Sequence, residues 1–242
     1  MRGVSRLALF IAVLWGWDSA LAGSLSYTVE GVRGKLQNNI QAWLGEGPES
    51  SQERSMFLAR LDERLSSALQ AMGYYNADIV THIDKSESEW QLLISIATNA
   101  PVIITKVDVR VLGEASNTPR FNTLIENSLL LQGTKLDHGE YERLKKALLS
   151  LGQRLGYIEG KFLTQRIDVD PSKNSASIEI EYNSGDRYRF GELQFDRDKM
   201  TDGLVESLRT FREGDFFDLG QLQDFQAQMQ QTRFFASVVV LP

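Results

Sequence analysis

Gln153–Phe162 reads QRLGYIEGKF: the end of a helix, a glycine-aromatic step and the start of a strand. The pattern occurs twice more, as QAMGYYNADI over Gln70–Ile79 and QQTRFFASVV over Gln230–Val239. Copies standing roughly 80 residues apart mean tandem domains, not a solenoid of short units. Upstream of each copy lies an amphipathic helix. Tyr141, Leu144, Leu148, Leu151 and Leu155 recur at alternating steps of three and four, the stripe of a helix with one apolar face. Phe57, Leu61, Leu65, Ala68 and Met72 make the same stripe in the first copy, and Leu219, Leu222, Phe225 and Met229 in the third. Asp137 and Asp218 stand where N-caps belong, behind the matching loops QGTKLD (Gln132–Asp137) and EGDFFD (Glu213–Asp218). Glu140, three residues after Asp137, predicts a capping box. The first copy has a longer, looser approach, GEGPESSQ over Gly45–Gln52.

The flanking elements repeat as well. Each unit opens on alternating apolar residues: Leu25, Tyr27 and Val29, then Val107, Val109 and Val111, then Leu193 and Phe195. Period-two alternation marks a sheet with one wet face. A first short helix follows, carried by Leu36, Ile40 and Trp43, by Leu124, Ile125 and Leu129, and by Leu204, Val205 and Leu208. Two strands close the unit: Ile79–Asp84 with Trp90–Ile96, and Phe162–Asp168 with Ala176–Tyr182 across the turn Pro171–Asn174. The fold class is therefore α+β, three tandem β-α-α-β-β domains spanning 23–99, 100–184 and 185–242. The third stops before its last strand, so the sequence is expected to be a fragment of a longer one. Asn99-Ala100-Pro101 and Asn183-Ser184-Gly185 are short linkers.

Residues 1–22 read as a signal peptide: Arg2 and Arg6, an apolar run Leu7–Gly16, and Ala20-Leu21-Ala22 as the cleavage site. Export is expected. The chain holds no cysteine, so each domain depends on its own apolar core. A formal net charge of −6 with no basic run argues against nucleic acid as a partner. No residues assemble into a catalytic or metal site by pattern, and no cofactor is expected. His82 and His138 lie in different domains. Asp168-Val169-Asp170-Pro171-Ser172 lacks the glycine and terminal glutamate of a calcium loop. Glu87 and Glu89 flank a turn, and there is no Gly-x-Ser-x-Gly. Tyr74-Tyr75 and Phe234-Phe235 read as core plugs.

The unit, with its glycine-aromatic step, resembles the POTRA domain of the BamA-like barrel-assembly superfamily. LQAMGYY (Leu69–Tyr75), YNSGDRYRFG (Tyr182–Gly191), Glu213-Gly214-Asp215 and SVVV (Ser237–Val240) are similar to stretches of the TamA family, the outer-membrane subunits of the translocation and assembly module. The resemblance runs over nearly all of the chain after residue 22. It implies a non-enzymatic periplasmic arm, attached to the outer membrane through a C-terminal β-barrel that this sequence does not contain. It also implies an inner-membrane TamB-like partner and unfolded outer-membrane clients. The strand after the second helix is expected to be a sheet edge open to strand addition. That assigns partner binding to Ile79, Val80, Thr81, His82 and Ile83, to Phe162, Leu163, Thr164, Gln165 and Arg166, and to Ser237, Val238, Val239 and Val240. The alternatives are a POTRA arm of a two-partner secretion transporter, or a periplasmic enzyme with an interdomain carboxylate site.

Overall fold

The computed structural model describes residues 23–86, 89–192 and 202–233. The strands expected around Leu193 and Phe195 and over Ser237–Val240, the Phe234-Phe235 pair and the signal segment lie outside them. The described residues divide into two compact units. One runs to Leu65 and takes in Ile79–Ala97; the other joins Ser66–Asp78 to the chain from Thr98 onward.

The first unit holds β1 (Ser24–Glu30), α1 (Gly34–Leu44), α2 (Ser51–Ala59), the opening of α3 (Leu61–Ala71), β2 (Asp78–Lys85) and β3 (Glu89–Ala97). Its sheet has the order β1-β3-β2. β1 runs parallel to β3, with Leu25 opposite Trp90 and Val29 opposite Ile94. Parallel neighbours need a long crossover, and the helices supply it. Leu25, Val29, Leu92, Ile94 and Ile96 are buried on one face, while Ser26, Thr28, Glu30 and Gln91 are exposed on the other. The helices meet the buried face: Tyr27 stacks on Phe57 with ring centroids 5.7 Å apart.

Three details differ from the sequence reading. α1 buries Leu36, Ile40 and Leu44, whereas Trp43 is 45 % exposed. The stripe drifts to the next residue because positions 43 and 44 both border the same face. The single second helix is two, interrupted at Arg60. The loose approach loop ends early, since Ser50 caps α2 by accepting from the Glu53 amide at 3.2 Å. Glu53 in turn accepts from the Glu49 amide, an almost complete capping box.

The second unit carries β4 (Ile103–Leu112), a 3-10 turn (Glu114–Asn117), α4 (Pro119–Glu126), α5 (His138–Arg154), β5 (Lys161–Asp170), β6 (Ser175–Asn183), α6 (Asp202–Leu208) and α7 (Leu219–Gln231). Its sheet repeats the first, in the order β4-β6-β5, with β4 parallel and β5 antiparallel to β6. Tyr141, Leu144, Leu148 and Leu155 of the helical stripe sit in one core with Ile178, Ile180 and Tyr182. Asp137 caps α5 through the Gly139 amide at 2.8 Å, and Asp218 caps α7 through Gly220 at 2.8 Å. The capping box at Glu140 is absent, because its carboxylate pairs with Arg143. The first short helix is anchored by Phe121, fully buried, with Leu124 and Ile125 at its margin; Leu129 lies past the helix end and is 63 % exposed. Thr118-Pro119 marks the true start, since proline suits the first helical position. A second cluster gathers Phe190, Val205, Phe211, Phe217, Leu222, Phe225 and Met229.

Candidate partner-binding edges and the joints beside them

β2 and β5 each lie on the outside of a three-stranded sheet, as do β1 and β4. An edge strand presents unpaired backbone N–H and C=O groups along one side. On β2, Val80, Thr81 and His82 are exposed and Ile79 and Ile83 half-buried. Its charged residues stand at the ends, Asp78 at one and Asp84 and Lys85 at the other.

β5 is built differently. Its register slips between Phe162 and Thr164, so Leu163 is the extra residue of a β-bulge and is 53 % exposed. Phe162 turns inward, edge-on to Tyr182 at 5.5 Å. Thr164 donates to Glu181 at 2.7 Å. Arg166 reaches both Asp168, at 2.9 Å, and Glu179, at 3.0 Å. Gln165 is exposed. From the other side Arg110 of β4 bridges Asp108, Glu179 and Glu181. The outer face of this sheet is thus laced with its own ion pairs. Bulges and inward-tied charges are devices by which natural sheets blunt an edge. β2 and β5 take the outer positions expected of the strand after the second helix, while the third expected edge lies outside the described residues; the bulge and the ion pairs leave no mark on the period-two alternation.

The glycine-aromatic step proves to be half of a main-chain joint. The Val102 amide donates to Gly73 O at 2.8 Å, Leu136 to Val102 O at 2.9 Å, Ile104 to Thr134 O at 2.9 Å and Gly133 to Ile104 O at 2.8 Å. The same four bonds recur further along the same unit. Tyr188 donates to Gly156 O at 2.8 Å, Phe217 to Tyr188 O at 2.9 Å, Phe190 to Asp215 O at 2.9 Å and Gly214 to Phe190 O at 2.8 Å. Gly73 and Gly156 have φ of +83° and +90°, a region closed to most side chains. A Cβ at Gly73 would fall 2.4 Å from Leu136 O, and one at Gly156 3.0 Å from Phe217 Cβ.

Side chains dress each joint. Tyr75 Oη lies 2.9 Å from His138 Nε2, and burial lowers the His138 pKa below its usual value. In the second joint Arg187 Nε donates to Leu155 O at 2.7 Å, while its amide donates to Glu114 at 2.7 Å. Arg189 stacks on Phe216 at 3.8 Å and donates to Gly214 O at 2.6 Å. Tyr188 donates to Glu159 at 2.9 Å, a bond that raises the phenol's pKa. The buried Ser184 hydroxyl accepts from Ala115 and donates to Gly185 O. These bonds account for much of the YNSGDRYRFG run. Tyr74 and Tyr75 are half-buried, the former beneath Lys135 at 4.8 Å.

His82 is exposed on β2, and no group of three or more His, Cys, Asp or Glu placed to hold a metal occurs among the described residues. No helix among them is long and apolar enough to cross a membrane.

Residues 26–98 match the family described as POTRA domain TamA domain 1. The described architecture is mixed α+β, two three-stranded sheets with helices. Similar solved structures include POTRA3-5 of BamA from Haemophilus influenzae, at 13% identity and a TM-score of 0.46, covering 90% of each chain. The N-terminal domain of Omp85 from Thermosynechococcus elongatus matches at 17% identity and a TM-score of 0.33, covering 89% of this chain and 87% of that one. POTRA1-3 of the periplasmic domain of Omp85 from Anabaena matches at 14% and 0.35, covering 90% and 86%.

Proposed function

We propose that this chain is the periplasmic arm of an outer-membrane assembly factor of the TamA type. It is exported by its N-terminal signal, sits below a C-terminal β-barrel, and docks an inner-membrane TamB-like partner and extended client polypeptides. The POTRA match over residues 26–98 supports the setting. The observation that carries the mode of action is the contrast between the two edges. Strand addition uses main-chain bonds for affinity and asks little of sequence, which suits a factor with many clients. β2 offers an outer strand whose middle, Ile79–Ile83, holds no Asp, Glu, Lys or Arg and whose Val80 is 66 % exposed. β5 interposes a bulge and an arginine already engaged with two carboxylates. β2 is accordingly the receiving edge and β5 a guarded one.

The test is site-specific crosslinking in cells, in the full-length protein with its barrel. Photoreactive residues at Val80, Thr81 and His82 should capture the inner-membrane partner or a client, and those at Gln165 and Arg166 should capture far less. Silence along β2 with strong capture along β5 would reverse the assignment. Silence along both would remove strand addition as the mechanism.

A further inference from the structure

The second module carries a feature unrelated to its sheet. α4 and α5 leave a groove of about 730 Å³ between them. Each wall contributes a row at helical spacing: Arg120, Thr123 and Leu124 on α4, and Ser150, Leu151 and Arg154 on α5. Leu124 and Leu151 are half-buried, so apolar surface stays wet between them; Arg120, Thr123, Ser150 and Arg154 are exposed along the rims. Among the described residues no carboxylate lines the groove. Neither Arg120 nor Arg154 has an ion-pair partner among the described residues, whereas Arg143 and Lys145 of α5 are paired within the helix.

The charge is local to this module. α5 holds four basic residues against two acidic ones, in a protein of formal net charge −6. The helix pair of the next module, α6 and α7, has no basic residue. The groove's charge is therefore not a by-product of the repeat.

We propose that this groove docks an amphipathic helix of a partner protein, apolar along one face and flanked by carboxylates. Both walls are helices, so no free backbone edge is offered and an extended strand would gain nothing from its main chain. Side-chain ridges three and four residues apart form the grooves into which a third helix packs. Leu124 and Leu151 would take its apolar stripe, and Arg120 and Arg154 its flanking carboxylates, setting orientation as well as affinity. The rims are too exposed to enclose a small molecule, which normally loses most of its surface to its pocket. This site is built on helices, not on a sheet edge, and holds or falls separately from strand addition.

The experiment uses the whole chain after residue 22 and fluorescent helical peptides of about four turns, with leucines at positions i, i+3, i+4 and i+7. In one peptide glutamates flank the stripe; in the other lysines do. The acidic peptide should bind roughly tenfold more tightly. The double variant Arg120→Glu/Arg154→Glu should invert that preference, a gain for the lysine peptide that misfolding could not produce. NMR shifts should map to α4 and α5. Equal binding of the two peptides, or shifts confined to β2 and β5, would overturn the proposal. So would binding to phosphatidylglycerol vesicles, lost in the double variant, in place of peptide binding. Self-association of the unliganded chain abolished by the same substitutions would assign the groove to a second copy instead.

Discussion

Tyr182 shows how closely single residues are fitted. Its ring stacks on Phe121 at 5.7 Å and is fully buried, yet its hydroxyl has no hydrogen-bond partner among the described residues. Gly152 and Gly160 make the notch that admits the oxygen: a Cβ at either would lie 2.0 Å from it. An unmet buried hydroxyl costs stability, so Tyr182→Phe should leave urea stability unchanged or raise it by about 1 kcal/mol. Gly152→Ala, by crowding the notch, should lower it by about 1–3 kcal/mol. Asp170 offers a second check at the hairpin turn. Hydrogen bonds from Ser172, then Lys173, hold its carboxyl down at about 2. The folded value lies below the ordinary 3.8, so the turn's contribution is complete above that pH and is lost as the pH falls through about 2. Carboxyl NMR titration should give that midpoint, and Ser172→Ala should move it upward.

Among elements, the two outer strands β2 and β5 invite direct comparison. If the bulge and the engaged arginine guard β5, then deleting Leu163 and replacing Arg166 with Val should expose it. The variant should self-associate at concentrations where the parent is monomeric, read by light scattering; unchanged behaviour would mean that the guard lies elsewhere. Much at this level could be read from the chain alone. The apolar stripe Tyr141–Leu155 spans about four turns, and only a helix places such a row on one face. The outer position of β2 and β5 followed from the order of helices and strands. What escaped the reading were choices between adjacent positions. Trp43 and Leu44 are both compatible with the α1 face, and which one turned inward depended on the partner surface. Phe121 lies one turn ahead of the Leu124-Ile125 pair that carries the apolar pattern, and Pro119 is the residue that marks the helix start. The groove was invisible for another reason: Arg120 and Arg154 lie on different helices, and only packing sets them along one trough.

At the level of the whole molecule, the second joint ties β6 and α5 to the segment that leads into α7, all within one compact unit. Gly156 sits at its centre with a backbone that a branched residue resists. Gly156→Val should cost about 1–2 kcal/mol in backbone strain alone. It should also broaden the distance distribution between spin labels at the exposed positions Lys146 and Gln223, measured by pulsed electron resonance. The absence of native cysteine makes those two sites easy to label alone. An unbroadened distribution would show that the side-chain contacts of Arg187 and Arg189 suffice. Both joints use the same four amide-to-carbonyl bonds, although the residues supplying them differ: valine and isoleucine at the first, tyrosine and phenylalanine at the second. Such a coupling reads peptide groups and ignores what hangs from them. Cassettes linked this way can diverge freely in their faces, or be copied and shuffled, while the connector that receives the next one stays interchangeable.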